Sequence, residues 1–524
     1  MDTKALRQKI LDLAIRGKLV PQDPNDEPAS VLLGRIRQQK QQMVKEGKLK
    51  PKDIKNDSVI FVGEDNLHYE KFADDSVKCI EDEIPFELPD GWAWERLSNL
   101  ASFSGGKTPS TSRSEYWDGD ILWVTSKDMK SKYITSSQLR LSTLGAEQMQ
   151  MYQPDTLLLV TRSGILRHTL PVAILKECAT INQDLKAIIL YMPQLAEYIY
   201  VCLKGMETQL LLKYTKSGTT VENVNFDEFQ KVLLPIPPIQ QIDRIMSSTG
   251  SAESVVSTIE DDKAALADYV IKAKSKILDL AIRGQLVPQD PDDEPASVLL
   301  ERIRAEKEEL IKQGKIKRDK KESVIFRGED NSYYEKMGGK VVNIDDEIPF
   351  ELPESWAWCR GYSCFEGLGS TKPQGDFFDY IDIDAIDNRL HCIKDAKHLP
   401  VSDAPSRASR AVKDGSVLFS LVRPYLENIA FVEEKHSNCI ASTGFYVCNS
   451  NGVLLPEFMF FLMISGYVVN GLNQYMKGDN SPSISKDNIE NWLYPVPPIG
   501  EQQTICAKLK TVFTLVENVE KSLN

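Results

Sequence analysis

Residues 10–37 read ILDLAIRGKLVPQDPNDEPASVLLGRIR, and ILDLAIRGQLVPQDPDDEPASVLLERIR begins again at Ile277, 267 residues later. Of the 28 paired positions 25 are identical, the exceptions being Lys18/Gln285, Asn25/Asp292 and Gly34/Glu301. Agreement of that order over that distance is an internal duplication, and a repeat of this size governs every later reading of the fold.

The duplication continues beyond the opening stretch. SVIFVGEDNLHYEK at Ser58 returns as SVIFRGEDNSYYEK at Ser323, and DEIPFELPDGWAW at Asp82 returns as DEIPFELPESWAW at Asp346. LPIPPIQQ from Leu234 answers YPVPPIGEQQ from Tyr494, the offset having drifted from 267 to 260. Between the WAW and PxPP marks lie two segments of similar length with almost no shared residues. A duplicated core would diverge evenly, so near-identical frames around unlike inserts point to one scaffold holding two interchangeable readers.

At these offsets Asn524 corresponds to Ala264 and Met1 to Asp268, so the sequence implies a circular repeat cut inside one helix. The uncut copy, AESVVSTIEDDKAALADYVIKAKSKILDLAIRG, has apolar residues at Val255, Ile259, Leu266, Val270, Ile277, Leu280 and Ala281, close to helical spacing, with Gly284 as a stop. From Ala252 to Ile282 it predicts a rod of about 45 Å. The cut copy would be rebuilt from EQQTICAKLKTVFTLVENVEKSLN at one end and TKALRQKILDLAIRG at the other. A further helix is expected over EPASVLLERIRAEKEELIKQGK, with Pro295 at its start and Gly314 at its end.

Composition sets limits. The chain has 524 residues, 42% of them hydrophobic and 27% charged, which suits several ordered globular domains. No stretch has the length of a membrane span and the start lacks a signal-peptide core, so a cytoplasmic location is expected. The nine cysteines form no CxxC pair. A net charge of -13 argues against nonspecific coating of nucleic acid, although residues 98–234 are nearly neutral, with 14 Lys+Arg against 13 Asp+Glu.

The inserts carry the candidate chemistry. LASFSGGKTPSTSRSEYWDGDILWVTSKDM places Gly105, Gly106, Lys107, Thr108 and Ser110 in a loop. The phosphate-loop pattern fails there, because Ala101 stands where its first glycine belongs. The same residues suit a loop laid against a nucleic-acid backbone; the alternative is a plain polar loop. Ser126 and Lys127 lie in a polar cluster after a predicted strand. DTLLLVTRSG and GSVLFSLVRP read as buried strands ending in Arg162 and Arg423, where a guanidinium can contact a base edge or pair with a carboxylate. Before the PxPP marks, YTKSGTTVENVNFDEF offers Lys216, Ser217, Thr219 and Thr220, and YMKGDNSPSISKDNIENW offers Lys477, Asn480, Ser481 and Ser483. Lys372 and Tyr425 complete the candidate DNA-binding set. No Walker A, HExxH, GxSxG or Asn-Pro-Pro-aromatic motif is present, and the five histidines have no metal spacing, so neither catalytic nor metal-ligating residues are expected.

Two variable segments in repeated frames, GGKTPSTSRSEYWDGDILWVTSKDM in one and GSVLFSLVRPYLENIAFV in the other, each closed by a PxPP mark, closely resemble the specificity subunit of type I restriction-modification enzymes over essentially the whole length. The resemblance implies an α+β chain: two mixed α/β target-recognition domains separated by conserved long helices, forming an antiparallel coiled-coil spacer with a pseudo-twofold, circular repeat. The corresponding boundaries are an N-terminal conserved helical region at 1–90, recognition domain 1 at 91–238, and a central conserved helical region at 239–354. Recognition domain 2 follows at 355–498 and a C-terminal conserved helix at 499–524.

The resemblance also implies a noncatalytic subunit that reads an asymmetric bipartite double-stranded DNA target. Its partners would be two methylation subunits and two restriction/translocation subunits. It would hold no cofactor itself, S-adenosylmethionine, ATP and Mg belonging to those partners. A methylation-only system and a structural scaffold are the alternatives. Here a long conserved region precedes the first recognition domain, whereas in some relatives it lies centrally and at the C-terminus.

Overall fold

The computed structural model describes residues 2–55, 57–216, 221–315 and 321–523. The chain divides into two compact units, Met1–Asp262 and Lys263–Asn524. Each is built on the same joint, made where the two marks that bracket the insert meet.

In the first unit, strand Ala93–Arg96 pairs antiparallel with strand Leu233–Ile236, Trp94 facing Pro235. In the second, Ala357–Arg360 pairs with Leu493–Val496, Trp358 facing Pro495. The insert is therefore a closed excursion that leaves and returns at one point. Proline is tolerated because each ladder has just two strands, leaving an edge where its missing N–H is not needed. Both tryptophans are buried, each edge-on to a phenylalanine with ring centroids 5.0 Å apart at 61°: Phe86 with Trp94, and Phe350 with Trp358.

One indole ties the duplicated helices to this joint. Trp92 Nε1 donates to Gln241 Oε1 at 2.9 Å and Gln22 Oε1 at 3.1 Å. Trp356 Nε1 donates to Glu501 Oε2 at 2.7 Å, and Gln289 Nε2 to Glu501 Oε1 at 2.6 Å. Gln22, Trp92 and Gln241 thus correspond to Gln289, Trp356 and Glu501, although the sequence offset differs for each of the three. An ion pair is repeated as well, Arg7 with Glu260 at 2.5 Å and Lys274 with Glu520 at 3.0 Å. In the first unit it links helix Thr3–Ile15 to the long helix Ile239–Ile282, and in the second it links that long helix to Ile499–Leu523.

The long helix exceeds the sequence expectation. It spans 44 residues and begins directly after the PxPP mark, not near Ala252. At 1.5 Å per residue it is about 66 Å long. The second helix forms as expected, Ala29–Lys45 and Ala296–Lys312, each entered through a proline N-cap.

The conserved regions are not wholly helical. Ser58–Val62, His68–Phe72 and Val77–Cys79 form a three-stranded antiparallel sheet, repeated as Ser323–Arg327, Tyr333–Met337 and Lys340–Asn343. Its inner face is fastened by a buried guanidinium. Arg96 bonds Glu70 at 2.7 Å and Glu83 at 2.8 Å, and Arg360 bonds Glu335 and Glu347, both at 2.8 Å. Its outer face carries Val59, Phe61, Tyr69, Lys71 and Val77 in one unit and Val324, Phe326, Tyr334, Lys336 and Val341 in the other, by strand register. Phe61 and Phe326 are each 41% exposed and stack on Tyr69 and Tyr334 at 5.9 Å.

The inserts supply most of each core. In the first, a five-stranded sheet (Ala101–Gly105, Leu185–Leu190, Leu157–Val160, Val172–Leu175, Tyr133–Ile134) packs on helix Ala196–Gly205 through Leu157, Ile188, Ile199 and Cys202. In the second, Val417–Ser420 is central to a three-stranded sheet that packs on helix Pro456–Met463. Among the described residues no helix is long and apolar enough to cross a membrane.

One position separates the two frames chemically. Glu95 is buried, accepts from Asn99 Nδ2 at 2.6 Å, and stands where the second unit has Cys359. Burial pushes its carboxyl up to about 7, against the pull of the Asn99 hydrogen bond. An unfolded carboxyl titrates near 4.5, so the folded unit binds the extra proton between 4.5 and 7. The stability this group contributes is full below that window and falls as pH rises through it, by up to about 1.4 kcal/mol per pH unit. Glu95→Gln should flatten the pH dependence of the denaturation midpoint between pH 5 and 7, measured by urea unfolding.

Candidate nucleic-acid interface

Three sequence-predicted elements of the first insert converge on a segment that motif reading passed over, Ile181-Asn182-Gln183-Asp184. The Gly-rich loop is held there because Lys107 N donates to Ile181 O at 3.0 Å and the Thr108 hydroxyl to Gln183 Oε1. The turn carrying Ser126 and Lys127 is held because Asn182 N donates to Val124 O at 3.0 Å. Arg162 is held through its neighbour, Thr161 N donating to Asp184 O at 2.8 Å. Four residues at the end of strand Ala179–Ile181 therefore set the spacing of the three loops.

The elements differ in what they can offer a ligand. Gly106 is a packing glycine: a Cβ there would fall inside the van der Waals surface of the Ile181 and Asn182 carbonyl oxygens. Gly105 ends strand Ala101–Gly105 opposite Lys186 and is exposed. Lys107, Thr108 and Ser110 are exposed, and the Lys107 and Ser110 carbonyls accept from the Trp123 and Trp117 indoles, both at 3.2 Å. Those indoles stack edge-on at 5.0 Å and stiffen the loop from beneath. In the 125–128 turn the Asp128 carboxylate accepts from Thr125 N and Oγ1, both at 2.8 Å, which leaves Lys127 exposed beside a satisfied acid.

Charge pairing divides the cations of the insert, and Arg113, Lys130, Arg140 and Lys213 are, like those of this face, exposed and without an ion pair among the described residues. Lys132 and Lys176 pair with Glu197, Lys204 with Glu207 and Arg167 with Glu222. Lys107, Lys127, Arg162 and Lys216 are exposed and enter no ion pair among the described residues. Cations left without carboxylates on one set of connected loops form the electrostatic arrangement a polyanion needs.

Two strand readings need correction. The strand before Arg162 ends at Val160, and Arg162 opens a separate strand, Arg162–Ser163, paired with Glu222–Val224. The strand before Arg423 ends at Ser420. Arg423 itself adopts a left-handed φ of 47°, with its N–H on Pro482 O at 2.7 Å and its guanidinium on Asn480 O at 3.0 Å. The two arginines are thus not equivalent: one is free on a strand and the other is bound to a neighbouring loop.

In the second unit Lys477 and Ser483 exchange backbone hydrogen bonds at 3.0 Å, and Asn480 and Ser481 are exposed between them. Tyr425 is 47% exposed. Lys372 is exposed in a loop whose Thr371 N donates to Ser409 O, away from the Lys477 turn by sequence and hydrogen bonding. Ser217, Thr219 and Thr220 lie outside the described residues. Among the described residues no group of His, Cys, Asp and Glu could hold a metal ion.

Comparison with known proteins bears on this geometry. Residues 89–252 match the type I restriction modification DNA specificity domain. That interval opens just before strand Ala93–Arg96 and closes in the long helix, so it contains one joint and its whole insert. Over that interval the chain is similar to the specificity proteins of type I restriction-modification systems. It is 27% identical to the type I restriction enzyme EcoAI specificity subunit of Escherichia coli, over 97% of this chain and 88% of that one. It is 25% identical to the EcoEI specificity subunit of Escherichia coli, over 99% and 90%. Among solved structures, the HsdS subunit from Thermoanaerobacter tengcongensis is 35% identical, covering 33% of this chain and 46% of that one, with a TM-score of 0.32.

Gly106→Ala should destabilise the first unit by about 1–3 kcal/mol, as overpacking against backbone does, whereas Lys107→Ala should leave the unfolding midpoint unchanged. Chemical denaturation of both variants checks the separation between a packing glycine and a surface cation.

Proposed function

We propose that this chain is the DNA sequence-specificity subunit of a type I restriction-modification complex. The observation that carries the reading is the contrast between frame and insert. The joints share their strand pairing and a 5.0 Å, 61° aromatic pair, while the exposed side chains of the two inserts differ. Each recognition domain, 91–238 and 355–498, then reads one half of an asymmetric bipartite target. The helix Ile239–Ile282 serves as the spacer between readers, paired antiparallel in the manner of a coiled coil, with the repeated Arg7–Glu260 and Lys274–Glu520 pairs in support.

In this reading the chain is noncatalytic and cytoplasmic. Two methylation subunits supply methyl transfer from S-adenosylmethionine, and two restriction subunits supply ATP- and Mg-dependent translocation and cleavage. Two copies of one partner need the same surface twice, and the outer sheet faces around Phe61 and Phe326 offer it. Phe61→Ser with Phe326→Ser should lower co-purification of the methylation subunit at least tenfold, with unchanged unfolding of the isolated chain; undiminished co-purification would move docking to the helices.

The test of the function is methylome sequencing of cells carrying this gene with its neighbouring methylation gene, against cells lacking it. A new motif of two unlike halves around a fixed gap, with methyladenine in each, is expected. One continuous motif would break the assignment of a half-site to each unit. Within that system Lys107→Ala should weaken binding on all sequences and reduce its salt slope by about one, as a phosphate contact does.

A further inference from the structure

We propose that each unit reads its half-site with a short row of bridged strand residues, and that Asn223 is the base-reading residue of the first unit, specific for adenine. The inference rests on the function proposed above and names a residue within it.

In the first unit the strands Arg162–Ser163, Glu222–Val224 and Thr215–Lys216 lie side by side. Arg162 faces Asn223, and Asn223 faces Lys216, so the three side chains stand abreast on one face. All three are exposed, while Glu222 and Val224, flanking Asn223, are buried on the opposite face. The Glu222 carboxylate is taken by Arg167 at 2.7 Å, so the acid nearest in sequence to this row is both turned away and neutralised. Asn223 Nδ2 makes one long hydrogen bond, 3.3 Å to Val221 O, and is released from it at little cost.

The second unit repeats the construction with different side chains. Val422 faces Ser483, and Ser483 faces Lys477. The backbone joints behind the row coincide. Val224 N donates to Thr161 O at 2.9 Å and Thr161 N to Asp184 O at 2.8 Å; Ile484 N donates to Leu421 O at 2.9 Å and Leu421 N to Gly444 O at 2.8 Å. Every residue in that second set lies 260 positions after its counterpart. Inserts with almost no common sequence therefore share this support.

What is constant and what varies on the support divides the roles. Lysine holds the outer place in both rows, as Lys216 and Lys477, while the central place changes from Asn223 to Ser483 and the inner from Arg162 to Val422. Contacts to phosphate position a protein without reading sequence, and contacts to base edges read it, so the constant lysine belongs to the backbone and the variable positions to the bases. A pair of strands, here Glu222–Val224 with Thr215–Lys216, is the kind of element the major groove admits, and there an asparagine amide matches adenine N6 and N7 with one donor and one acceptor. A serine hydroxyl cannot make that paired contact.

The test uses the full chain co-expressed with its methylation subunit. Competition binding is measured on duplexes substituted at each position of the methylome-defined target. Asn223→Ala should lower discrimination about 10- to 100-fold at one A·T pair of one half-site and leave the other half unchanged. Ser483→Asn should create a preference for adenine at one position of the other half-site. Lys216→Ala should weaken all sequences alike. Unchanged discrimination at every position by both Asn223→Ala and Ser483→Asn, in a parent complex that does recognise a bipartite target, would overturn the row as reader. A parent complex with no sequence preference would overturn the proposed function itself.

Discussion

The architecture depends on the antiparallel pairing of the strand that enters each insert with the strand that leaves it, Trp94 opposite Pro235 and Trp358 opposite Pro495. Closing a loop of more than 130 residues costs entropy that grows only slowly with its length. Once the ends are joined, the frame therefore tolerates almost any insert that folds. The Trp92 and Trp356 indoles convert this local closure into a long-range one, because each binds a side chain in the first turn of the following helix, Gln241 or Glu501. An insert can then differ without disturbing the direction in which the helix leaves its joint.

The sequence shows this frame clearly and the readers poorly, for a physical reason. Frame residues such as Gly17 and Gly284 sit at positive φ, 65° and 68°, with Pro89 and Pro353 packed where a Cβ would lie, so nothing else fits and both copies keep them. The tryptophans and Arg96 and Arg360 are held instead by the contacts of their side chains. The repeat exposes such positions by keeping them twice. The small sheet in each conserved region was not legible as a sheet, because its strands are short and their outer positions apolar, which blurs the alternation a half-buried strand otherwise shows.

In the inserts, residue type alone identified polar loops but not how they are assembled. Lys107, Arg162 and Lys216 are far apart in sequence and are brought into relation by backbone hydrogen bonds to the 181–184 segment and by a two-residue strand. Neither signal has a side-chain signature. Arg162 and Arg423 looked equivalent because each follows a buried apolar run, yet the pairing register puts Val422, not Arg423, beside Ser483. A shift of one residue in a strand moves a side chain to the other face. Register is settled by the partner strand, which a single sequence does not display.

The comparison of the two units also separates stability from recognition. Of the buried ionisable groups of the first frame, the Lys40–Asp57 pair at 2.6 Å is answered in the second by Lys307–Glu322 at 3.2 Å, whereas Cys359 replaces Glu95. Buried ionic groups are a costly way to stabilise a fold, and their exchange for a neutral thiol leaves the joint geometry unaltered. Lys107, Lys127, Arg162 and Lys216 present the opposite case: their side chains have no carboxylate partner among the described residues. A frame whose joint survives the exchange of Glu95 for Cys359, carrying inserts with exposed cations left unpaired, keeps its geometry while the surface of its inserts varies.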